Sequence, residues 1–142
     1  MIAVQKIDTD NPLYQDERAL RNKILLRPIG VPDHAWEMHD ENSWHFVALD
    51  DHKVVGCVVL VPVEAHKAQL IQMAVDGSCQ GKGVGKKLVH ALVEFAISEH
   101  IQEILCHARE NVVDFYAKLG FEVYDDPFVE VGIVHRHMKM TV

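Results

Sequence analysis

The sequence predicts an α/β fold, and three features of its 142 residues indicate this class. Short runs of β-branched and aliphatic residues, typical of strands, occur on both sides of one long segment with helical periodicity. That segment begins in a cluster of glycines and places Val84, Leu88, Leu92 and Phe95 on one helical face. The order that we predict is strands, a central helix, a strand, a short helix and final strands.

The first half of the chain is mainly extended. A helix over residues 14–25 is the exception, because its apolar residues recur at helical spacing and Pro28 prevents it from continuing. Two β-rich runs flank the polar turn at 50–53, which is the pattern of an antiparallel hairpin. The strands predicted here are residues 2–7, 45–49, 54–61 and 68–75.

The second half opens with the central helix, which we predict to begin near Val84. A short strand at 103–108 follows, and then a short helix at 112–119 that Gly120 ends, since glycine accepts the left-handed conformation of a helix end. Residues 121–124 and 135–140 are predicted as the last strands.

Composition limits the classes of function. With 49% hydrophobic residues and no linker-like stretch, residues 1–142 are expected to form one domain. No apolar run approaches the eighteen residues of a membrane span and no signal-peptide pattern is present, so we expect a cytoplasmic protein. The net charge of −7 disfavours nucleic acid as a partner.

The cysteines and histidines show no metal-binding pattern. Cys57, Cys79 and Cys106 are widely spaced, which fits neither a disulfide framework nor a metal-binding pair, so we expect reduced thiols. His135 and His137 could share one strand face, but no third ligand accompanies them. We therefore expect no metal.

The glycine cluster at 81–85 has the chemistry of an anion site. The first turn of a helix has N–H groups without partners, and glycines let a phosphate approach the backbone closely. Lys82, Lys86 and Lys87 add positive charge there. The spacing does not fit a Walker loop, which requires Ser or Thr after Gly-Lys, where this chain has Gly83. It does not fit a dinucleotide-binding GxGxxG motif either, because Lys86 stands at the position of the last glycine.

Two motifs carry a resemblance to a known family. Residues 80–85, QGKGVG, resemble the acetyl-CoA pyrophosphate loop of the GNAT superfamily of N-acetyltransferases. Residues 115–124, FYAKLGFEVY, are similar to a second motif of that family at the expected distance. The tail at 128–140 resembles small bacterial members, with Val134 in place of a proline. The resemblance implies a GNAT fold, with a mixed, mostly antiparallel central sheet flanked by helices on both faces.

The resemblance also implies a cofactor site. Backbone groups of the strand that ends at 73–75 would bind the pantetheine arm of acetyl-CoA, and the loop amides would bind its pyrophosphate. Asn111 corresponds to a CoA-contacting asparagine, although it precedes the matching tyrosine by five residues rather than about seven. The implied cofactor residues are Met73, Ala74, Val75, Gln80, Gly81, Lys82, Gly83, Val84, Gly85, Lys86 and Asn111.

For catalysis, Tyr116 matches the family's general acid, which protonates the departing thiolate. His135, in the family-like tail, is our candidate for the general base, with His107 and Glu130 as alternatives. Residues 36–45, which include Trp36, His39, Glu41 and Trp44, could line an acceptor pocket, form a lid or simply pack.

We expect an enzyme that transfers an acetyl group from acetyl-CoA to a primary amine by direct attack. The acceptor stays open among a polyamine, an amino sugar, an amino acid and a protein amino group, with the acidic charge favouring a cationic small molecule. A homodimer also stays open. The alternative reading is an acyl-CoA-binding regulatory module without turnover.

Overall fold

A seven-stranded sheet forms the centre of the protein, which a computed structural model describes over residues 1–142. The strand order is β1-β2-β3-β4-β5-β7-β6, and every neighbouring pair is antiparallel except β4 and β5. The predicted strands are all present, and the last two are longer than expected. Their bounds are Ile2–Ile7, Trp44–Asp50, Lys53–Glu64, Lys67–Val75, Glu103–Arg109, Glu122–Glu130 and Ile133–Thr141 for β1 to β7.

Helices cover both faces of the sheet, which confirms the predicted fold class. Helix α1, Leu13–Arg21, lies on one face and continues into a wider π-helical turn, Asn22–Leu26. Helices α2, Val84–Ser98, and α3, Val113–Lys118, lie on the other. None of the three helices has both the length and the apolar composition that a membrane crossing requires.

The alternation of side chains along β2 and β3 produces two separate apolar clusters. Phe46 and Ala48 of β2 point toward α2, while Val47 between them points toward α1. The larger cluster includes Leu88 and Leu92 of α2. Both faces of these central strands are therefore buried, which explains their continuous hydrophobic runs.

Strands β4 and β5 pair over four residues only and then diverge. The parallel register runs from Lys67 opposite Glu103 to Leu70 opposite Cys106. Just beyond, the pairing of β4 with β3 shifts register between Ile71 and Ala74, and Gln72 adopts a left-handed φ of +55°. Such a bulge bends a strand. One edge of β4 is consequently left without a partner strand beyond Leu70.

Gly56 of β3 allows the start of α2 to lie directly on the sheet. A Cβ at this position would come within 2.8 Å of Val84 Cγ1 and 3.0 Å of Leu88 Cδ1. Both contacts involve buried side chains, and Val84 has little rotamer freedom because it is β-branched. The absent side chain therefore sets how closely the first turn of α2 approaches β3.

We expect Gly56→Ala to lower the free energy of unfolding by about 1–3 kcal/mol, because overpacking forces α2 away from the sheet. Urea-induced unfolding measures this change. Gly77→Ala is the matched control, since a Cβ there meets no atom within 4 Å. A Gly56→Ala protein as stable as the Gly77→Ala protein would contradict the close approach.

Candidate active site

A cavity of about 990 Å³ occupies the gap between the diverging ends of β4 and β5. The unpaired part of β4, from Ile71 to Val75, forms one wall. The loop before α2 contributes Gln80, Gly81 and Gly83. Since no strand pairs with this edge of β4, its backbone N–H and C=O groups are available to a ligand in the cavity.

The loop before α2 has the local geometry expected of an anion site. Gly81 and Gly83 have φ of +79° and +76°, a region that other residues rarely occupy, and a Cβ at either would meet no atom within 4 Å. The first hydrogen bond of the helix runs from the Lys87 N–H to the Gly83 carbonyl, 3.1 Å. Val84, Gly85 and Lys86 therefore have N–H groups without helical partners at the cavity.

Asp76 anchors the turn that leads into this loop. Its carboxylate accepts hydrogen bonds from the N–H and the hydroxyl of Ser78, at 3.0 and 2.8 Å, and from Lys23 at 3.0 Å. The hydrogen bonds from Ser78 and then Lys23 hold the pKa of Asp76 well below its usual range. The turn is thus held by a carboxylate that stays ionised at neutral pH.

Tyr116 of α3 reaches the cavity from the α2 side of the sheet. Its side chain is buried, and its ring meets those of Phe115 and Phe121 at centroid distances of 5.0 and 5.5 Å. Burial, and then the neighbouring Cys106, raise the pKa of the Tyr116 phenol above its usual range. The hydroxyl therefore stays protonated at neutral pH and is able to donate a hydrogen bond to a group in the cavity.

His135 of β7 reaches the same cavity from the opposite face of the sheet. The Nδ1 atom lies 2.8 Å from the Ile133 carbonyl, which can only accept, so Nδ1 carries the proton. In the neutral ring, the Nε2 lone pair is then free to accept a proton. Oε1 of Glu130 lies 3.9 Å from Nε2, and the other carboxylate oxygen lies 3.2 Å from Nδ1 of His107.

The structure brings most, but not all, of the sequence-predicted residues to the cavity. Met73, Ala74, Val75 and the residues from 80 to 86 line it, apart from Lys82. Asn111 is exposed in the turn before α3 and is not part of the lining.

The segment at 36–45 divides between the cavity and the core. Trp36 and His39 line the cavity, whereas Glu41 is exposed outside it. Trp44 packs against Phe95 with the ring centroids 5.0 Å apart. The sequence left open whether this segment lines a pocket, forms a lid or packs. Trp36 and His39 line the cavity, whereas Trp44 packs against the core.

A fully buried charge network lies between α1 and β2, beside the segment that carries Trp36. Nη1 of Arg21 donates to the carboxylates of Glu17 and Asp40, both at 2.9 Å. His45 places Nδ1 2.8 Å from Glu17 Oε2 and Nε2 2.8 Å from the Asp40 carbonyl. Burial lowers the pKa of His45, but the hydrogen bond and charge of Glu17 raise it by more.

Glu17, Asp40 and His45 lie close enough to hold a metal ion. Most of their electron pairs are already engaged, however, because Arg21 and His45 donate to Glu17, and Arg21 and Tyr14 both donate to Oδ2 of Asp40. Oδ1 of Asp40 has no hydrogen-bond partner, and one oxygen alone does not make a metal site. With His45 protonated, two positive side chains balance two negative ones. The geometry therefore corresponds to a compensated ion-pair network.

Gln72 is a wall residue that sequence reasoning missed. Its amide oxygen is buried at the bulge of β4 without any hydrogen-bond partner, and the residue lines the cavity. An unpaired buried acceptor is unusual. No signal in the sequence marks it, because the bulge depends on how β3 and β4 pair.

The sequence profile of the acetyltransferase (GNAT) domain matches residues 29–142. The chain is also similar to GCN5-related N-acetyltransferase 2, chloroplastic, from Arabidopsis thaliana, with 38% identity over 112 residues. That match covers 78% of this chain and 43% of the relative, so the chain spans less than half of the relative's length.

Solved structures share the fold at lower sequence identity. Escherichia coli ElaA superposes with a TM-score of 0.87 at 16% identity, with 99% of both chains covered. A GNAT family acetyltransferase from Elizabethkingia anophelis with acetyl-CoA bound has a TM-score of 0.78 at 18% identity, covering 99% of this chain and 98% of that one. These likenesses show that the fold is shared.

Proposed function

Because this chain belongs to the GNAT acetyltransferase family, we propose that it transfers the acetyl group of acetyl-CoA to a primary amine by direct attack on the thioester. The observation that most supports this proposal is that three structural features meet at a single cavity. They are the free edge of β4, the helix start with its free N–H groups, and the side chains of Tyr116 and His135 from opposite faces of the sheet.

The cofactor would lie along the unpaired edge of β4. Backbone groups of Met73, Ala74 and Val75 would hydrogen-bond the amides of the pantetheine arm, and the N–H groups at 83–86 would bind the pyrophosphate. The helix dipole and Lys86 add positive charge at the phosphate end. Lys82 and Asn111, which lie outside the cavity lining, would contact only parts of CoA that extend into solvent.

The reaction requires an uncharged amine and a stabilised leaving group. His135 Nε2 would take a proton from the ammonium, and Glu130 would stabilise the imidazolium that forms. The amine nitrogen then attacks the thioester carbon; a new C–N bond forms and the C–S bond breaks. The second proton that the nitrogen loses goes to solvent water, as does the proton on His135 before the next turnover. The departing sulfur accepts a hydrogen bond from Tyr116.

Complete proton transfer from Tyr116 to that sulfur is uphill, because a thiol has a pKa of about 8.5 and the buried phenol is a far weaker acid. The hydroxyl would therefore stabilise the thiolate mainly as a hydrogen-bond donor. This refines the general-acid role that the family resemblance implies.

CoA at a hundredfold excess over its dissociation constant should stabilise the protein by about 2.7 kcal/mol. We expect Gly83→Asp to abolish this stabilisation and Gly83→Asn to retain part of it. Both side chains tolerate the left-handed backbone and have the same shape, so only the negative charge distinguishes them. Thermal unfolding with and without CoA measures the effect. Equal responses of the two variants to CoA would show that the phosphates bind elsewhere.

Replacing His135 by Gln should reduce turnover about 10²-fold with CoA affinity unchanged, because the amine loses its proton acceptor. Steady-state acetylation of a panel of primary amines, followed by thiol release, gives the rates, and calorimetry gives the affinity. His137→Gln is the matched control, since His137 stacks on Phe128 at 4.2 Å and does not line the cavity. Parental turnover in His135→Gln would remove this residue from the mechanism.

Tyr116→Phe should slow single-turnover acetyl transfer about 10²-fold and leave ground-state binding of CoA intact, because the hydroxyl matters only as charge develops on sulfur. Tyr124→Phe, on the edge strand outside the cavity, controls for loss of a phenol. If Tyr116→Phe melts and acetylates like the parent, the residue serves packing alone. CoA binding without turnover by the parent on any amine would instead support the regulatory module.

A further inference from the structure

Trp36 lies at the cavity in a backbone conformation that a bulky side chain rarely adopts. Its φ is +64°, and His34 has the same φ. Such conformations persist only where surrounding contacts impose them, and they concentrate at ligand-binding surfaces. The conformation of Trp36 therefore depends on the contacts that hold its segment, and its role depends on what the indole ring contacts in the cavity.

Three polar side chains from one face of helix α1 and the turn after it hold the segment from His34 to Glu37. Residues 18, 21 and 22 are spaced by three and four positions, so they project from the same side of the helix. Each one contacts a different residue of the segment. The contacts are Arg18 to the Glu37 carboxylate at 3.0 Å through two nitrogens, Arg21 Nη2 to the Trp36 carbonyl at 3.0 Å, and the His34 N–H to Asn22 Oδ1 at 2.8 Å.

Arg21 is the least mobile of these anchors. Its side chain is 2% exposed, and its other terminal nitrogen donates to Glu17 and Asp40. A planar guanidinium held on one side by two carboxylates has little freedom to reorient. The carbonyl of Trp36 is consequently bound by a donor whose position is set by the buried network, and the indole is presented to the cavity in a defined place.

The cavity lining suggests what the indole contacts. Trp36 shares the lining with the apolar residues Ile24, Leu25 and Met38. Glu130 is the only carboxylate of the lining, and the cations, Lys86 and Arg109, suit the phosphates of the cofactor. The lining therefore offers a negative partner, Glu130, to one ammonium group of an acceptor. A second ammonium group would lie against the apolar residues and lose its hydration without gaining a partner.

We propose that Trp36, held by Arg21, selects the acceptor by packing against its carbon body, and that the acceptor class is a monoamine carried on an apolar group. This inference rests on the proposed acetyl transfer and narrows its substrate class. Glu130 attracts the ammonium, the indole and its apolar neighbours receive the carbon atoms, and Arg21 acts as a positioning residue.

The test compares n-alkylamines from ethylamine to hexylamine at saturating acetyl-CoA. For the parent, we expect kcat/KM to rise up to about fourfold per added methylene, the factor that corresponds to about 0.8 kcal/mol for each buried CH₂. Trp36→Ala should flatten this dependence and leave CoA affinity unchanged. 1,4-Diaminobutane should react at least tenfold less efficiently than butylamine. An unchanged slope in Trp36→Ala, or a preference for the diamine, would overturn the proposal.

Trp44→Phe supplies both the control and a second readout. Trp44 packs against Phe95 away from the cavity, so this variant should keep the parental chain-length dependence. The chain has two tryptophans, so Trp44→Phe leaves Trp36 as the only indole fluorophore. Hexylamine added in the presence of CoA should change its emission. If the parent acetylates other primary amines but no alkylamine, this inference fails and the proposed function stands; if it acetylates no primary amine, the proposed function fails. An unchanged Trp36 emission would also overturn this inference.

Arg21→Lys tests the positioning role, because it keeps a positive charge between Glu17 and Asp40 but removes the donor to the Trp36 carbonyl. As a single substitution, Arg21→Lys should reduce the dependence of kcat/KM on alkylamine chain length. Combined with Trp36→Ala, it should cause no further reduction. A merely structural role would lower the melting temperature with the slope unchanged. Should Arg21→Lys fail to fold, Asn22→Ala, which removes the partner of the His34 N–H, gives the same comparison.

Discussion

The early end of the pairing between β4 and β5 is the constraint on which the rest of the structure depends. Only four residues of each strand are paired, and the bulge at Gln72 then turns β4 away. A continuous sheet would keep side chains on opposite faces apart. The gap lets Tyr116, from the helix-covered face, and His135, from the other face, reach one cavity, and it leaves backbone hydrogen-bonding groups free for a ligand.

The end of this cavity at the start of α2 is positioned by steric fit in addition to the hydrogen bonds of Asp76. Gly56 lets Val84 and Leu88 lie on β3, which places the free N–H groups of the first helical turn at the end of the gap. Gly85 serves a similar purpose on the other side of the helix, where a Cβ would come within 3.0 Å of the Phe115 ring. Helix α2 is thus confined between β3 and the segment that carries Tyr116.

The opposite wall is held by charge. Arg21 and His45 each bring a positive charge to Glu17 and Asp40 in a region that water does not reach. A buried network of this kind contributes little net stability, since desolvation offsets most of the attraction, but it restricts geometry strongly. Its consequence for function is that the segment around Trp36 is held in a strained conformation beside the cavity.

The sequence by itself determined the element order and the conformation of the glycine-rich loop before α2, because both depend on local properties. Hydrophobic periodicity marked the start of α2 at Val84, and glycine supplied the left-handed conformations at 81 and 83. Only the tertiary structure decided that β7 lies between β5 and β6, which places His135 opposite Arg109 of β5, and that Arg21 binds the Trp36 carbonyl. It likewise placed Asn111 outside the cavity lining and Gln72 within it. These arrangements follow from strand register and from contacts between distant residues, where the free energy of packing the whole chain, rather than any local pattern, selects the partner.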